Sequence, residues 1–497
     1  SRRQRQMCIR DRNSDSFSET CGEVIAGALA WSGNFRLNFE VDEFDVLTVL
    51  AGANPNASEY RLRPGETFTT PEMIYTHSFC GAGGASRNLH DWARNYGVYH
   101  GHEAVPTLLN SWEGAYFKFD AKVLKQMIDD AASMGLEMFV LDDGWFGNKY
   151  PRNNSNAGLG DWQVNAAKLP EGIDHIASYA HSKGLKFGIH LMRGLPKIAA
   201  EKKLPVKGTN GITCDMIASN DSACTWLRDN YKVDYRKPGA QEYYNSCFEL
   251  YAEWGVDFVK IDDLSRPYHT AEIEMIRKAI DHCGRPIVLS ISPGETPLEK
   301  VDHVKTHANM WRTVDDFWDN WSQLNYQFQV CAKWAPYIAP GTWPDADMLP
   351  LGKISIRGER GEERWTNFTR DEQYTMMNLW TIFKSPLMFG GDLPQNDKAT
   401  DSLLTNRDVL YMHHYSANNR QLSKRDNHIV WAADDPANGD KFVALFNTGG
   451  SEFVNTKDAL YRSGTISYLT TGYAKDADVD LTGTVSYTHL TLPTTSR

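Results

Sequence analysis

Between about residue 104 and residue 410, eight short apolar runs alternate with segments of helical period, and this rhythm restricts the fold more than any other feature. The runs are VPTLLNSW (105–112), EMFVLDDGW (137–145), GLKFGIHLM (184–192), WGVDFVKIDD (254–263), PIVLSIS (286–292), HANMWRTVDD (307–316), GTWPDADML (341–349) and SPLMFGGDL (385–393). Between them, DAKVLKQMIDDAASMG places Val123, Leu124, Met127, Ile128 and Ala131 on one helical face, with Asp120 in position to cap it. AEIEMIRKAIDHCG does the same with Ile273, Ile276 and Ile280, and YTMMNLWTIFKS (374–385) is a third such segment. Eight strands with helices between them predict an α/β protein, a (β/α)8 TIM barrel spanning 101–410. A doubly wound open sheet is the alternative, but the Gly-rich phosphate turn that usually accompanies it is absent after the first run.

The flanks read differently. FRLNFEVDEFDVLTVLAG alternates apolar and polar residues, and RPGE marks a turn before TFTTPEMIYTHSF, so 13–100 is expected to be a partial N-terminal β-sandwich. After residue 410, KFVALFNTGGSEFVNT and GTISYLTTGYA predict a small, truncated C-terminal β domain over 411–484. The ends, SRRQRQMCIRDR (1–12) and VSYTHLTLPTTSR (485–497), share no period with their neighbours. Both resemble translated adapter sequence at the ends of metagenomic assemblies, and they are set aside from the fold as a fusion scar would be. The true start is then missing, which leaves the bacterial cytoplasm and a periplasmic or secreted location both open.

Charge narrows the partners. Lys and Arg number 52 against 63 Asp and Glu, a net −11, which argues against nucleic acid or an anionic membrane because both need a basic surface. There is no run of about 18 apolar residues to predict a membrane-spanning helix. The eight cysteines lack metal-site spacing; Cys214 and Cys224 could pair across a short loop or remain free buried thiols. Nothing in the chain speaks to oligomeric state.

Polar residues gather where the apolar runs end, the face on which barrel chemistry sits. Asp142 and Asp143 end the second run, and Lys260, Asp262 and Asp263 the fourth. Arg312, Asp315 and Asp316 end the sixth, Asp345 and Asp347 the seventh, and Asp392 the eighth. A bare charge inside a barrel is costly, so their recurrence at five strand ends favours a site over chance. By strand parity Lys260 and Asp262 point one way and Asp263 the other, while Arg312 and Asp316 share a side. Two carboxylates facing across the mouth, each with a cation beside it, suit acid/base work on a glycosidic bond: one ionised, the other holding a proton for the leaving oxygen. Taken singly, a DDG is more often a turn and a K-x-D more often a surface pair. Carboxylate clusters can also hold Ca²⁺ or Mg²⁺, but D-x-D-x-D-G spacing is missing.

Two blocks of the chain resemble the α-galactosidase clan of glycoside hydrolases. Residues 24–188 are similar to family 36, through LAWSGNFRLNFEVDEF, LRPGETFTTPE, PTLLNSWEGAYFKFD, FVLDDGWFGNKYPRNNSNAGLGDW and KLPEGIDHIASYAHSKGLKFGI. Family 36 would continue near W-x-E-P-E-M and then K-W-D-x-N; this chain continues HLMRGLPKIAAEKKLPVKGT. Residues 189 to about 425 are similar to family 27, through WGVDFVKIDD, HANMWRTVDDFWDNW, WPDADMLPLG and SPLMFGGDL. The blocks meet at 184–189, inside the third strand. With the adapter-like ends this implies an assembly chimera, a natural divergent enzyme being the alternative.

The resemblance implies a retaining, exo-acting hydrolase of terminal α-D-galactosyl residues that needs no metal or organic cofactor. Asp262 matches the clan's nucleophile and Asp316 its acid/base; Asp315 stands where the family is usually not acidic, and the parity of Asp316 with Arg312 favours Asp316. Asp142 and Asp143 match the pair that holds the axial 4-hydroxyl and the 6-hydroxyl of galactose. Lys260 and Arg312 match sugar-binding cations, Trp112 a pocket wall, and Asp347 an acidic residue of a WNDPDM-like loop. One departure concerns the family 27 C-E-W, whose Glu reads the 2-hydroxyl. Here Ser292, Pro293 and Gly294 stand in its place, with Glu295 next, so other sugars are rivals: an α-N-acetylgalactosaminide, a β-L-arabinopyranoside or an α-glucan. A rival of another class is a non-catalytic sugar-binding protein or an inactive hybrid.

Overall fold

The computed structural model describes residues 8–11, 18–31, 33–56, 59–92, 104–156, 158–159, 162–224, 227–354 and 362–449. The chain divides into two units, residues 1–103 and 104–497. In the first, Cys8–Asp11, Val24–Leu29 and Met73–Ser78 form a three-stranded antiparallel sheet, and Phe35–Val41 pairs with Leu47–Ala53 in a separate hairpin. The edge strand Cys8–Asp11 comes from the segment set aside as adapter-like; residues 1–7, residue 12, 485–497 and GTISYLTTGYA lie outside the described residues. A helix, Gly81–Trp92, follows the sheet, and no helical pattern announced it. Its GAGG start lowers helix propensity yet lets the helix approach the sheet, since a Cβ on Gly84 would collide with Ser78 and Cys80.

The second unit holds eight parallel strands: β1 (Thr107–Asn110), β2 (Met138–Leu141), β3 (Lys186–Met192), β4 (Phe258–Asp262), β5 (Val288–Ile291), β6 (Met310–Arg312), β7 (Trp343–Asp345) and β8 (Leu387–Phe389). Each of the eight apolar runs contains one of them. Hydrogen bonding runs in the order β7-β6-β5-β4-β3-β2-β1-β8, and Leu349, just past β7, bridges Phe389 of β8. This is the (β/α)8 barrel expected from the alternation.

Strand parity sorts the core into two bodies. Leu108, Met138, Val140, Phe258, Val288, Met310, Trp343 and Met388 form a buried cluster filling the barrel interior. Their neighbours one residue away, among them Leu109, Phe139, Val259, Leu289 and Trp311, belong to the larger cluster beneath the helices. Gly188 of β3 also has interior parity, and a Cβ there would come within 2.8 Å of the Phe258 ring and 3.1 Å of Val140. The strand can therefore tolerate little more than hydrogen at that point.

The helices begin where local chemistry tells them to. Asp120 accepts a hydrogen bond from the Val123 N–H at 2.9 Å and starts Ala121–Ser133, whose buried face is Leu124, Ile128 and Ala131. Ile273, Ile276 and Ile280 are buried in Thr270–His282. The third helix, Arg370–Phe383, starts four residues before the segment read by periodicity, because Thr369 and Glu372 form a reciprocal capping box. Past the barrel, Ala417–Arg425, His428–Asp434 and Lys441–Asn447 make an antiparallel sheet. Cys214 and Cys224 are buried and no disulfide joins them, so that alternative falls away. Among the described residues no helix is long and apolar enough to cross a membrane.

A buried ion pair ties the end of β3 to the helix after β4. Glu272 receives Arg193 at 2.5 and 2.7 Å, the Gly194 N–H at 3.1 Å and the Tyr244 hydroxyl, and the Arg193 and Glu272 side chains are 3% and 6% exposed. Replacing Glu272 with Ala would leave the guanidinium buried without its counter-charge, a loss of about 3–5 kcal/mol. Chemical denaturation should register that loss, and a Glu272→Ala protein as stable as wild type would show the pair to be dispensable.

Candidate active site

The side chains of interior parity change character above the apolar plug. Asn110 ends β1, Asp142 follows β2, His190 sits within β3, Lys260 and Asp262 on β4, Ser292 after β5, Arg312 on β6 and Asp345 on β7. Register places His190 beside Lys260 and Arg312 beside Asp345, so these groups form a polar layer at the C-terminal end of the sheet.

Lys260 is the hub of one half. Its Nζ lies 2.9 Å from Asp142 Oδ2 and 3.8 Å from Asp262 Oδ1. Burial alone would push the ammonium toward neutrality, but Asp142 and Asp262 reverse this and raise its pKa above the ordinary value. Asp142 also accepts from the Asn110 amide at 2.7 Å and the Asp143 N–H at 2.8 Å. Burial would raise its carboxyl; Lys260, then His190, then these hydrogen bonds hold it well below the usual range. Asp262 is likewise lowered against burial, by Lys260 and by His190, whose Nε2 stands 3.1 Å from Oδ2. One fifth of the Asp262 side chain stays open to solvent. His190 in turn is raised, since Asp262, Asp142 and Asp143 outweigh its own burial.

Arg312 is the hub of the other half. It meets Asp347 at 2.6 Å, Asp316 at 3.4 Å and Ser292 Oγ at 3.3 Å. Asp347, Asp316, Asp345 and Asp262 all raise its pKa, so both candidate carboxylates, Asp262 and Asp316, act on one guanidinium. Asp347 also accepts from the Phe317 N–H at 2.7 Å and holds a left-handed backbone at φ 83°, an uncommon conformation for a residue with a Cβ. It therefore anchors both the cation and the loop that carries Asp316. The Asp316 side chain is more than half exposed.

The remaining expected residues fall around these hubs. Asp143 is clasped by Arg152, with Nε 3.0 Å from Oδ1 and Nη2 2.7 Å from Oδ2, and the guanidinium is almost wholly buried. Trp112 is half-buried at the top of the interior cluster, edge-on to Tyr116 and Phe117. Asp263 is buried and holds a left-handed backbone at φ 63°. Asp315 pairs instead with Arg266, Asp392 bonds Gln395 in a short turn, and Glu295 is exposed.

Sequence reasoning missed three groups. His190 was visible as a lone imidazole inside an apolar strand, but only register reveals that it lies beside Lys260. Arg152 sits ten residues beyond Asp142 in an irregular loop, where no period assigns a direction. Glu113 is buried next to Trp112, and burial together with Asp347 and Asp319 raises its carboxyl well above the usual range.

Known proteins are similar to this chain in sequence and fold. Profiles for Melibiase, Alpha galactosidase A and the Glycosyl hydrolase family 36 N-terminal domain match residues 67–287, 230–414 and 11–63. The crystal structure of a family 27 β-L-arabinopyranosidase from Geobacillus stearothermophilus is 44% identical, with 70% of this chain and 85% of that one aligned at a TM-score of 0.66. The chain belongs to the α-galactosidase clan of glycoside hydrolases, with features of families 27 and 36. Another family relative, a putative α-N-acetylgalactosaminidase from Bacillus halodurans, is 41% identical over 69% of this chain and 86% of its own, at a TM-score of 0.60. On the family 36 side, α-galactosidase Mel36A of Lactobacillus acidophilus is 40% identical over 193 residues, 37% of this chain. The chain spans about a quarter of the length of the curated relatives it matches.

This polar layer carries a pH signature in Asp345. Burial first, and Asp347 besides, push its carboxyl up to about 7, although Arg312 opposes them. The folded protein thus keeps a proton that the unfolded chain gives up near pH ~3.9, so stability falls as pH rises from about 4 to about 7. Asp345→Asn removes this titration, and thermal midpoints across that window should show wild type losing ground to the variant. Parallel curves would place the Asp345 pKa in its ordinary range.

Proposed function

We propose that the protein is a retaining exo-glycosidase that hydrolyses terminal α-D-galactosyl residues, with Asp262 as nucleophile and Asp316 as acid/base. One observation carries this reading: Asp262 is an anion flanked by Lys260 and His190 yet partly open to solvent, and it shares Arg312 with the exposed Asp316. In the first step Asp262 bonds to the anomeric carbon while Asp316 delivers its proton to the departing oxygen. A water then attacks the same carbon, Asp316 takes its proton back, and Asp262 is released. Exposure of Asp316 lets it exchange protons and lets the leaving group depart. Neither step calls on a metal or organic cofactor, because side chains supply the nucleophile and both proton transfers.

The sugar is held by the rest of the layer. Asp142 and Asp143, fixed by Lys260 and Arg152, take the axial 4-hydroxyl and the 6-hydroxyl, Lys260 and Arg312 donate to ring hydroxyls, and Trp112 walls the pocket. Asp347 contributes by holding Arg312 in place. Each carboxylate retains lone pairs beyond those its cation occupies. A sugar without the matching hydroxyl would leave these buried groups unanswered.

A β-L-arabinopyranoside is the second reading, favoured by the 44% identity to a β-L-arabinopyranosidase. This sugar shares the ring configuration of galactose and lacks its hydroxymethyl group. Assays on paired aryl glycosides separate the two: kcat/KM should favour the α-galactoside, and a preference for the arabinopyranoside would transfer the assignment to that sugar.

Three further outcomes test the mechanism. Asp262→Ala should reduce turnover by at least about 1,000-fold, because the covalent step has no substitute. Asp316→Ala should slow poor leaving groups by about 100-fold or more while sparing activated aryl glycosides at the first step. Equal losses on both substrate types would remove Asp316 from proton transfer. NMR of the first-formed galactose should show the α-anomer, and a β-anomer would rule out retention.

A further inference from the structure

On the helices outside the barrel strands, Glu274, His303 and His307 converge, with one donor atom from each lying within 4.8 Å of the others. Glu274 rides on helix Thr270–His282, which follows β4; the two histidines lie one turn apart on Val301–His307, which leads into β6. A spacing of four residues stacks side chains on one helical face, and the two imidazoles lie parallel, 4.2 Å between centroids at 20°. From these positions we infer a divalent transition-metal site of the zinc class, made by two imidazoles and one carboxylate.

The hydrogen bonds around the rings prepare the correct nitrogens. His307 Nδ1 donates to the His303 carbonyl at 2.8 Å, which leaves its Nε2 lone pair free. His303 Nδ1 is 2.7 Å from the Tyr268 hydroxyl, so Tyr268 can accept that proton and direct Nε2 toward the centre. Glu274 Oε1 already stands 3.3 Å from that Nε2. A hydrogen-bonded partner on the far nitrogen is the usual support for a ligating histidine. Tetrahedral zinc with bonds of about 2.0–2.2 Å keeps its ligands about 3.4 Å apart, so modest rotamer movement closes the cluster and leaves a fourth position for water. All three residues are half-buried, which permits entry from solvent. Two imidazoles and one carboxylate favour zinc, nickel or copper over magnesium or calcium.

Such an ion would pin the helix after the Asp262 strand to the helix before the Arg312 strand. Its effect is on stability, because no ligand belongs to the polar layer that the sugar would occupy.

The full chain, stripped with EDTA and dialysed, should bind one Zn²⁺ by isothermal titration calorimetry and gain thermal stability with Zn²⁺ but not with Mg²⁺. Tyr268→Phe should weaken zinc about 10-fold, the effect of losing an outer partner. His307→Gln, a half-exposed change, and the double variant His303→Ala/His307→Ala should abolish the thermal gain. Zinc bound equally well by those variants, or bound without a rise in midpoint, would overturn the site. Hydrolysis of an aryl glycoside measured in parallel should be the same with and without EDTA, which separates this site from the fate of the glycosidase reading.

Discussion

The Lys260–Asp142 contact, 2.9 Å between two side chains 118 residues apart, is the interaction on which the polar layer rests. Both groups are nearly excluded from water, where a single unpaired charge costs several kcal/mol. Together they lower that cost, and the remaining attraction of Lys260 extends to Asp262. Losing Lys260 would leave Asp142 with only His190 and its hydrogen bonds and would take from Asp262 the larger of its two supporting cations, whereas losing Asp142 would leave Lys260 with Asp262, 3.8 Å away, as its remaining counter-charge. Between the strands that carry the two partners, β3 hydrogen-bonds in register to β2 on one side and β4 on the other.

Why the charges collect at one end follows from packing. The interior of the barrel is filled by Leu108, Val140, Phe258, Val288, Met310 and Trp343, which cannot solvate a charge. One layer further along the same strands, side chains of the same parity reach the open end. There Asn110, Asp142, His190, Lys260, Asp262, Arg312 and Asp345 gather, while His190 Nδ1, Asp262 Oδ1 and Arg312 Nε are buried without a hydrogen-bond partner among the described residues. Asp263 and Asp347 adopt left-handed backbone at this boundary, where the chain leaves a strand and must turn at once. For Asp347 that turn aims one carboxylate at both Arg312 and the Phe317 N–H.

Much of this was legible beforehand because barrel strands are short, buried on both faces and separated by amphipathic helices. Each of the eight apolar runs holds a strand, and Lys260 and Asp262, which share parity, lie 3.8 Å apart. The start of helix Arg370–Phe383 was present in the chain as T-x-x-E, although periodicity alone placed it late. The helix Gly81–Trp92 escaped because its glycines serve close approach to the sheet, a requirement that exists only once both elements are packed.

By itself, then, the sequence determined the alternation, the direction of side chains along each strand and the chemistry available at the strand ends, since all three depend on neighbours within a few residues. Only the tertiary structure decided which ends meet. It gave Asp142 to Lys260, His190 to Asp262, Arg152 to Asp143 and Asp347 to Arg312, and it sent Asp315 and Asp392 elsewhere. The physical reason is that Coulomb attraction and burial act through space, between groups that lie from 9 to 118 residues apart, and periodicity carries no record of such distances.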